Sequence, residues 1–124
     1  MRLLLDTHVL LWWLADSPLS DPAAEAIADT RNEVLVSAAS AWEVSIKKAL
    51  GKLTAPDDLV DELTSSGFTP LNITLLHGMA AGSLPRHHDD PFDRMLVAQA
   101  TLEGLTVVTR DARFGEYDVP CLSA

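Results

Sequence analysis

Asp6, Glu43, Asp93 and Asp111 share a local setting in this chain of 124 residues. Asp6 directly follows the apolar run Leu3-Leu4-Leu5, and only Arg110 separates Asp111 from the run that ends at Thr109. Glu43 and Asp93 each stand near the start of a stretch with helical periodicity. Such carboxylates do chemistry together only if the fold gathers them. Two ionised carboxylates ~5 Å apart repel by about 3 kcal/mol at an effective dielectric of about 20. A gathered set therefore persists by taking up protons or by holding cations. All-oxygen ligands select hard ions, Mg²⁺ or Mn²⁺, over zinc. A carboxylate-held Mg²⁺ can orient and deprotonate water and stabilise charge on a phosphoryl group, the chemistry of metal-assisted phosphodiester hydrolysis.

The elements that must position these acids follow from the apolar pattern. Arg2 to Leu5 is long enough for a buried strand and too short for a helix, and Val9 to Leu14 fits a mostly buried helix. Asp21-Pro22 opens a second helix through Ile27 and Ala28, with Asp21 as its cap. Val34-Leu35-Val36 is the next strand. Ser40 to Leu50 is the clearest helix, marked by an apolar stripe of Trp42, Ile46, Ala49, Leu50 and Leu53 and stopped by Gly51. An acidic helix from Asp57 to Ser65, a strand from Phe68 to Leu71 and a helix from Leu75 to Ala81 come next. A polar loop from Pro85 to Asp90 leads into a largely apolar helix that runs to Gly104. Leu105 to Thr109 is a β-branched strand, and a last strand falls around Val119 to Leu122. Strands alternate with helices, and no two-residue hairpin turn joins a strand pair. The fold expected is α/β, a central parallel sheet of about four to five short strands flanked by helices, in one domain over residues 1–124. Ligands of such sheets collect beyond the carboxyl ends of the strands, where the four acids fall.

Each acid also has a purely structural explanation. Asp6 can cap the first helix. Ser40-Ala41-Trp42-Glu43 matches a capping box, and Glu43 can pair with Lys47 one turn on. Asp90-Pro91-Phe92-Asp93 reads as N-cap, first-turn proline and a dipole-favoured acid. Asp111 fits an ordinary turn.

Composition narrows the function classes. A chain that is 48% hydrophobic and 22% charged is not disordered. Eighteen acids against nine bases leave a net charge of −9, which disfavours non-specific duplex binding through a basic face. Contact with nucleic acid through metal ions stays open. The single cysteine, Cys121, excludes an internal disulfide and reads as a small buried hydrophobe. No apolar segment approaches the ~18 to 20 residues that span a bilayer. Asp6 and His8 split the first apolar run, and no small-residue cleavage site follows Ala15. The expectation is a soluble cytoplasmic protein with no membrane partner.

Other polar residues carry weaker signals. His87-His88-Asp89-Asp90 reads as a solvated loop, since consecutive loop residues rarely face one ion. His8 lies beside Asp6 without a Ser or Cys nucleophile. Arg86, Arg94, Arg110 and Arg113 cluster near the last two acids, either to contact phosphates or to balance local charge. Trp12 and Trp13 point about 100° apart on a helix, so either both are core or one lines an interface.

Whole segments add to these positions. Leu3-Leu4-Leu5-Asp6-Thr7-His8 resembles the opening of PIN-domain proteins, specifically the VapC-like toxins of bacterial toxin–antitoxin pairs. Ser37 to Ile46 with Trp42-Glu43, Asp90 to Ala100 with Asp93, and Val107 to Asp111 followed by Phe114 resemble the family's later acidic motifs, in family order. The resemblance runs from Met1 to about Leu122. It implies a PIN fold and a magnesium-dependent ribonuclease, with Mn²⁺ able to substitute, silenced by a cognate antitoxin in a homodimer or toxin–antitoxin hetero-oligomer. By motif position it gives the catalytic and metal-binding role to Asp6, Glu43, Asp93 and Asp111. Asp90 is then an N-cap, or else it supports the metal ligands or contacts the metal itself, and Thr109 either orients Asp111 or a metal-bound water or is a plain strand end. Two other readings compete: a catalytically inert PIN-like module that binds RNA or protein, and a receiver-like signalling domain. A receiver would want paired acids after the first strand and a late Lys-Pro, and the chain has neither.

Overall fold

Three consecutive leucines with no polar interruption demand a strand covered on both faces, and Leu3, Leu4 and Leu5 have that burial in β1 (Arg2–Leu5). The computed structural model describes residues 1–124. β1 is the centre of a five-stranded sheet with β2 (Glu33–Ser37), β3 (Thr69–Leu71), β4 (Thr106–Thr109) and β5 (Cys121–Ser123), in the order β3-β2-β1-β4-β5. Every pairing is parallel; Leu4 lies opposite Leu35 on one side and Val107 on the other. The two-residue period of β1 splits the interior in two. Leu3 and Leu5 enter one core with Val9, Leu10, Val34, Val36, Phe68 and Val108. Leu4 enters the other with Leu35, Leu96, Val97, Val107 and Phe114.

Six helices cover the faces: α1 (Thr7–Leu14), α2 (Asp21–Ala28), α3 (Ala38–Ala49), α4 (Leu59–Ser65), α5 (Leu75–Ser83) and α6 (Pro91–Glu103). A 3₁₀ turn spans Ala112–Glu116. The chain moves outward from β1 through β2 to β3, then returns to add β4 on the other side of β1. That reversal opens a crevice at the carboxyl ends of β1 and β4, the usual ligand position in an open α/β sheet. Asp6 and Asp111 leave the sheet there. No helix is long and apolar enough to cross a membrane.

Several local expectations change. α3 starts at Ala38, with the Ser37 hydroxyl accepting from Ala39 N at 3.0 Å, so Glu43 lies in its second turn and no capping box forms at Ser40. Ser40 accepts instead from the Thr7 hydroxyl at 2.9 Å, joining α3 to α1. The apolar stripe of α3 is not its buried face, since Trp42 and Leu50 are 61% and 63% exposed. The buried side is Ala39, Ser40, Glu43 and Val44, because α3 turns its small residues and its acid inward. Ser20, not Asp21, caps α2. Cys121 is exposed on edge strand β5 rather than buried. Trp12 and Trp13 are both partly buried against the first core.

The turn from α6 into β4 rests on Gly104, which sits at φ 68° and ψ 48° and returns its N–H to Ala100 O. A methyl group at Gly104 would meet open space, so its cost is purely one of backbone conformation. Gly104→Ala is expected to destabilise the protein by roughly 1 kcal/mol in urea unfolding, with Gly104→Asn milder, because only Asn among the two tolerates the left-handed region. Equal stability of all three proteins would refute this account of the turn.

Candidate active site

Asp6 occupies the N-cap position of α1, yet its side chain makes no capping bond. Buried behind β1, it accepts a hydrogen bond from the Thr109 hydroxyl at 2.8 Å. The same hydroxyl accepts from Asp111 N at 3.0 Å. Thr109 thus links the ends of adjacent strands. Burial raises the Asp6 carboxyl above its ordinary value, and the Thr109 bond only partly opposes that.

Glu43 is 2% exposed, and Lys47 Nζ donates to its Oε2 at 2.6 Å. Its Oε1 is buried with no hydrogen-bond partner. A buried carboxylate oxygen without a partner costs about 1–3 kcal/mol or more. Asp93 stands in the first turn of α6, beneath the cap made by Asp90, whose Oδ1 accepts from Phe92 N and Asp93 N at 2.8 and 3.2 Å. Burial pushes the Asp93 carboxyl up to about 8, reinforced by the negative charges of Asp6, Asp90, Glu43 and Asp111. Asp111 behaves oppositely. The Arg113 guanidinium grips both its oxygens at 2.8–3.2 Å and holds the carboxyl down to about 2. The negative charges of Asp6, Glu43, Asp90 and Asp111 therefore converge on Asp93.

The sequence reading of residues 85–90 as a solvated loop fails at His88, which is 3% exposed. His88 Nε2 lies 2.8 Å from Asp93 Oδ2 and 3.1 Å from Asp111 Oδ2. The ring meets Phe114 edge-on at 5.9 Å, and the Tyr117 hydroxyl accepts from His88 N at 3.0 Å. The loop's polarity pointed outward, while the aromatic residues that bury His88 come more than twenty positions later in the chain. Arg94 also departs from both readings. It neither faces phosphate nor balances an acid, but donates to the carbonyl oxygens of Ala81, Leu84, Pro85 and His88 at 2.9–3.3 Å. A guanidinium there closes the C-terminal end of α5 and fixes the loop that carries His88. Arg110 stacks over Trp12 at 4.1 Å and donates to Pro18 O.

The donor set fits a hard divalent cation. One of its carboxylate oxygens is buried and unpartnered, burial and neighbouring charge oppose the ionisation of two of its carboxyls, and His88 Nε2 lies within 4.8 Å of oxygens of Asp93 and Asp111. Asp6, Glu43, Asp93 and Asp111 are the side chains that could hold it.

The PIN domain model matches residues 3–120. This chain belongs to the PIN domain family. It is 29% identical to the ribonuclease VapC22 of Mycobacterium tuberculosis over 94% of this chain and 92% of that protein. Its fold matches the DNA-bound VapBC of Salmonella typhimurium with a TM-score of 0.73 at 19% identity, covering 99% and 98% of the two chains. It also matches FitAcB of Neisseria gonorrhoeae with a TM-score of 0.69 at 22% identity, covering 97% and 96%. As a PIN domain the chain leaves the receiver-like reading without support.

The raised Asp93 carboxyl makes a stability prediction. The folded PIN domain keeps a proton on Asp93 up to about pH 8, whereas the unfolded chain releases it in the ordinary carboxylate range. Its contribution is complete below that range and is lost as pH rises through 8. Asn is neutral at every pH and has the same shape. In chelator, Asp93→Asn should melt a few degrees above wild type at about pH 9 and level with it at about pH 4. Added Mg²⁺ should raise the wild-type melt and narrow the difference. Identical melts at both pH values would show that Asp93 is not held protonated by the fold.

Proposed function

We propose that this PIN domain is a divalent-metal-dependent ribonuclease that acts as the toxin of a toxin–antitoxin pair. The observation that carries the reading is the buried carboxylate set at the reversal of the sheet, with Glu43 Oε1 unpartnered and Asp93 pushed up by its neighbours. The ribonuclease relative and the VapBC and FitAcB folds support the same reading.

Mg²⁺ or Mn²⁺, when bound, supplies a Lewis acid that activates water and neutralises charge on a phosphoryl oxygen. The chain's own side chains divide the remaining work. Asp6, Glu43 and Asp93 bind the cation through their oxygens. The Thr109 hydroxyl orients Asp6, and Lys47 holds Oε2 of Glu43, leaving Oε1 unpartnered for the cation. Burial of Asp6 and Glu43 keeps bulk water from the inner side, so RNA approaches over the partly open Asp93 and Asp111. Asp90 works through its cap on α6, which sets the direction of Asp93.

The antitoxin reading rests on charge and apolar surface. An acidic site in a chain of net charge −9 suits an Arg from the partner, whose planar fork can bridge two carboxylates. Exposed Trp42, with Ala39, Ile73, Pro91, Phe92 and Met95, lines an apolar hollow beside it, suited to an accompanying apolar segment. Leu75, Leu76 and Met79 of α5 are also exposed, an apolar face of the kind assemblies cover.

Purified protein is expected to cleave RNA with Mg²⁺ or Mn²⁺, to stop in excess chelator and to recover when the ion returns. Asp93→Asn should lower the rate on the order of 100-fold or more, since loss of a ligand exceeds the 10–100-fold cost of losing a ligand's support. Asp90→Asn should keep most activity, because Asn is also a good cap. Full cleavage in chelator, or a wild-type rate for Asp93→Asn, would sink the metal reading. No cleavage under any condition would favour the inert binding module. For the partner, alanine at its inserted Arg should weaken inhibition more than it weakens the complex. An antitoxin fragment that lacks every residue reaching the acids, yet inhibits as well as the whole, would overturn that mechanism.

A further inference from the structure

Arg110 and His8 each stand next to a carboxylate of the site. Arg110 follows the last residue of β4 and directly precedes Asp111, and His8 lies two residues past Asp6 in the first turn of α1. Leu5 of β1 is opposite Val108 of β4, and Asp6 N donates to Val108 O at 3.0 Å, so the two segments leave the sheet side by side. Both side chains meet Trp12. His8 and Trp12 are four residues apart on one face of α1, with ring centroids 6.0 Å apart and planes tilted by 40°. The Arg110 guanidinium lies over the Trp12 ring, its Cζ 4.1 Å from the ring centroid.

The lower layer of this stack is held and the upper one is open. Trp12 packs against the first core, and Ser17 N donates to Trp12 O at 2.8 Å. Arg110 Nη2 donates to Pro18 O at 2.6 Å, just past that turn. His8 and Arg110 themselves are exposed. Arg2, Arg31, Lys47, Lys48 and Arg113 each meet an acid, whereas Arg110 meets an aromatic face and a carbonyl oxygen instead. An arginine that served only to offset the acids would turn to Asp111, as Arg113 does. A planar cation laid over a tryptophan is a surface of another kind. Nucleobases stack on aromatic rings and on guanidinium planes, and the positive charge suits the phosphates on either side of the base.

We infer that Arg110, backed by Trp12 and flanked by His8, is a stacking subsite for one nucleobase of the RNA beside the cleaved bond. Trp12 supplies the floor, the Pro18 carbonyl fixes one edge of the guanidinium, and the outer side of Arg110 receives the base. The subsite orients the strand without reading its sequence, because every base has a face that can stack. Its place next to Asp6 and Asp111 sets which phosphodiester reaches the carboxylates. This inference rests on the ribonuclease reading above.

Binding is read in the Asp93→Asn background, where cleavage is slow, from the fluorescence anisotropy of a labelled, unpaired RNA about ten nucleotides long. Adding Arg110→Ala should weaken binding about 5- to 100-fold, the range for cutting a stacking side chain back to alanine. Arg110→Lys keeps the charge and loses the plane, so it should bind nearly as weakly as Arg110→Ala. A lysine that binds as well as the arginine would make Arg110 a plain phosphate contact and overturn the subsite. A second comparison changes the RNA, replacing one nucleotide at a time by an abasic ribose. One position should weaken binding to the protein with Arg110 and cost little with Arg110→Ala, the coupling expected of two groups in contact. Equal abasic losses in both proteins at every position would also overturn the subsite. Trp12→Leu should reproduce the loss seen with Arg110→Ala, and where it does not fold the exposed Arg110 variants and the abasic series decide. A protein that cuts RNA but shows no such coupling keeps the ribonuclease reading and loses the subsite. One that neither binds nor cuts RNA loses both.

Discussion

Carboxylates that must share a small, partly buried volume repel one another, and the rest of the site is arranged around that repulsion. Most of the acids have an answer to it. Lys47 takes one oxygen of Glu43, Arg113 takes both oxygens of Asp111, and Thr109 gives Asp6 a hydroxyl. Asp93 has neither a Lys or Arg partner nor a hydroxyl donor. Burial, with the charges of Asp6, Asp90, Glu43 and Asp111 added to it, pushes its carboxyl up to about 8. The side chain least compensated within the fold is therefore the one with most to gain from an external cation.

The sheet creates this situation through strand order. β1 and β4 are sequence-distant neighbours whose ends release Asp6 and Asp111 side by side, with Asp6 N bonded to Val108 O at 3.0 Å. α3 and α6 supply Glu43 and Asp93 from the helices beside them. Two apolar cores on the faces of β1 hold those elements still. The second core is also what buries His88, because Phe114 and Tyr117 belong to it and form the wall behind the ring. Packing and site geometry are thus set by some of the same residues.

The parallel α/β order was legible because alternating apolar strands and periodic helices are local signals. The three leucines of β1 and the β-branched run of β4 announce burial by themselves. Asp6, Asp93 and Asp111 stood out for the same reason, since each sits at an element boundary, whereas Glu43 lies a turn inside α3. What escaped was set by distant contacts. His88 lies in a polar loop, and its burial depends on Phe114, Tyr117 and Arg94. Arg94 looked like a cation near acids, yet its partners are backbone carbonyls, which no side-chain pattern encodes. The stripe on α3 misled in the opposite sense. Periodicity marks a helix correctly, but it cannot tell an apolar face turned to the core from one left outside, and Trp42 is left outside, edge-on to Phe92 at 5.2 Å.

The apolar hollow takes in Phe92, the neighbour of Asp93 in the first turn of α6, and the two features bear on each other. A cation of the solvent answers only the acid. A partner segment with an Arg and apolar neighbours answers both, since the hollow of Ala39, Trp42, Ile73, Phe92 and Met95 offers area and Asp93 offers charge. A metal ion and a partner arm would then compete for one charge deficit, with the apolar surface favouring the arm. The same deficit would serve catalysis when a metal fills it and silence when a guanidinium does.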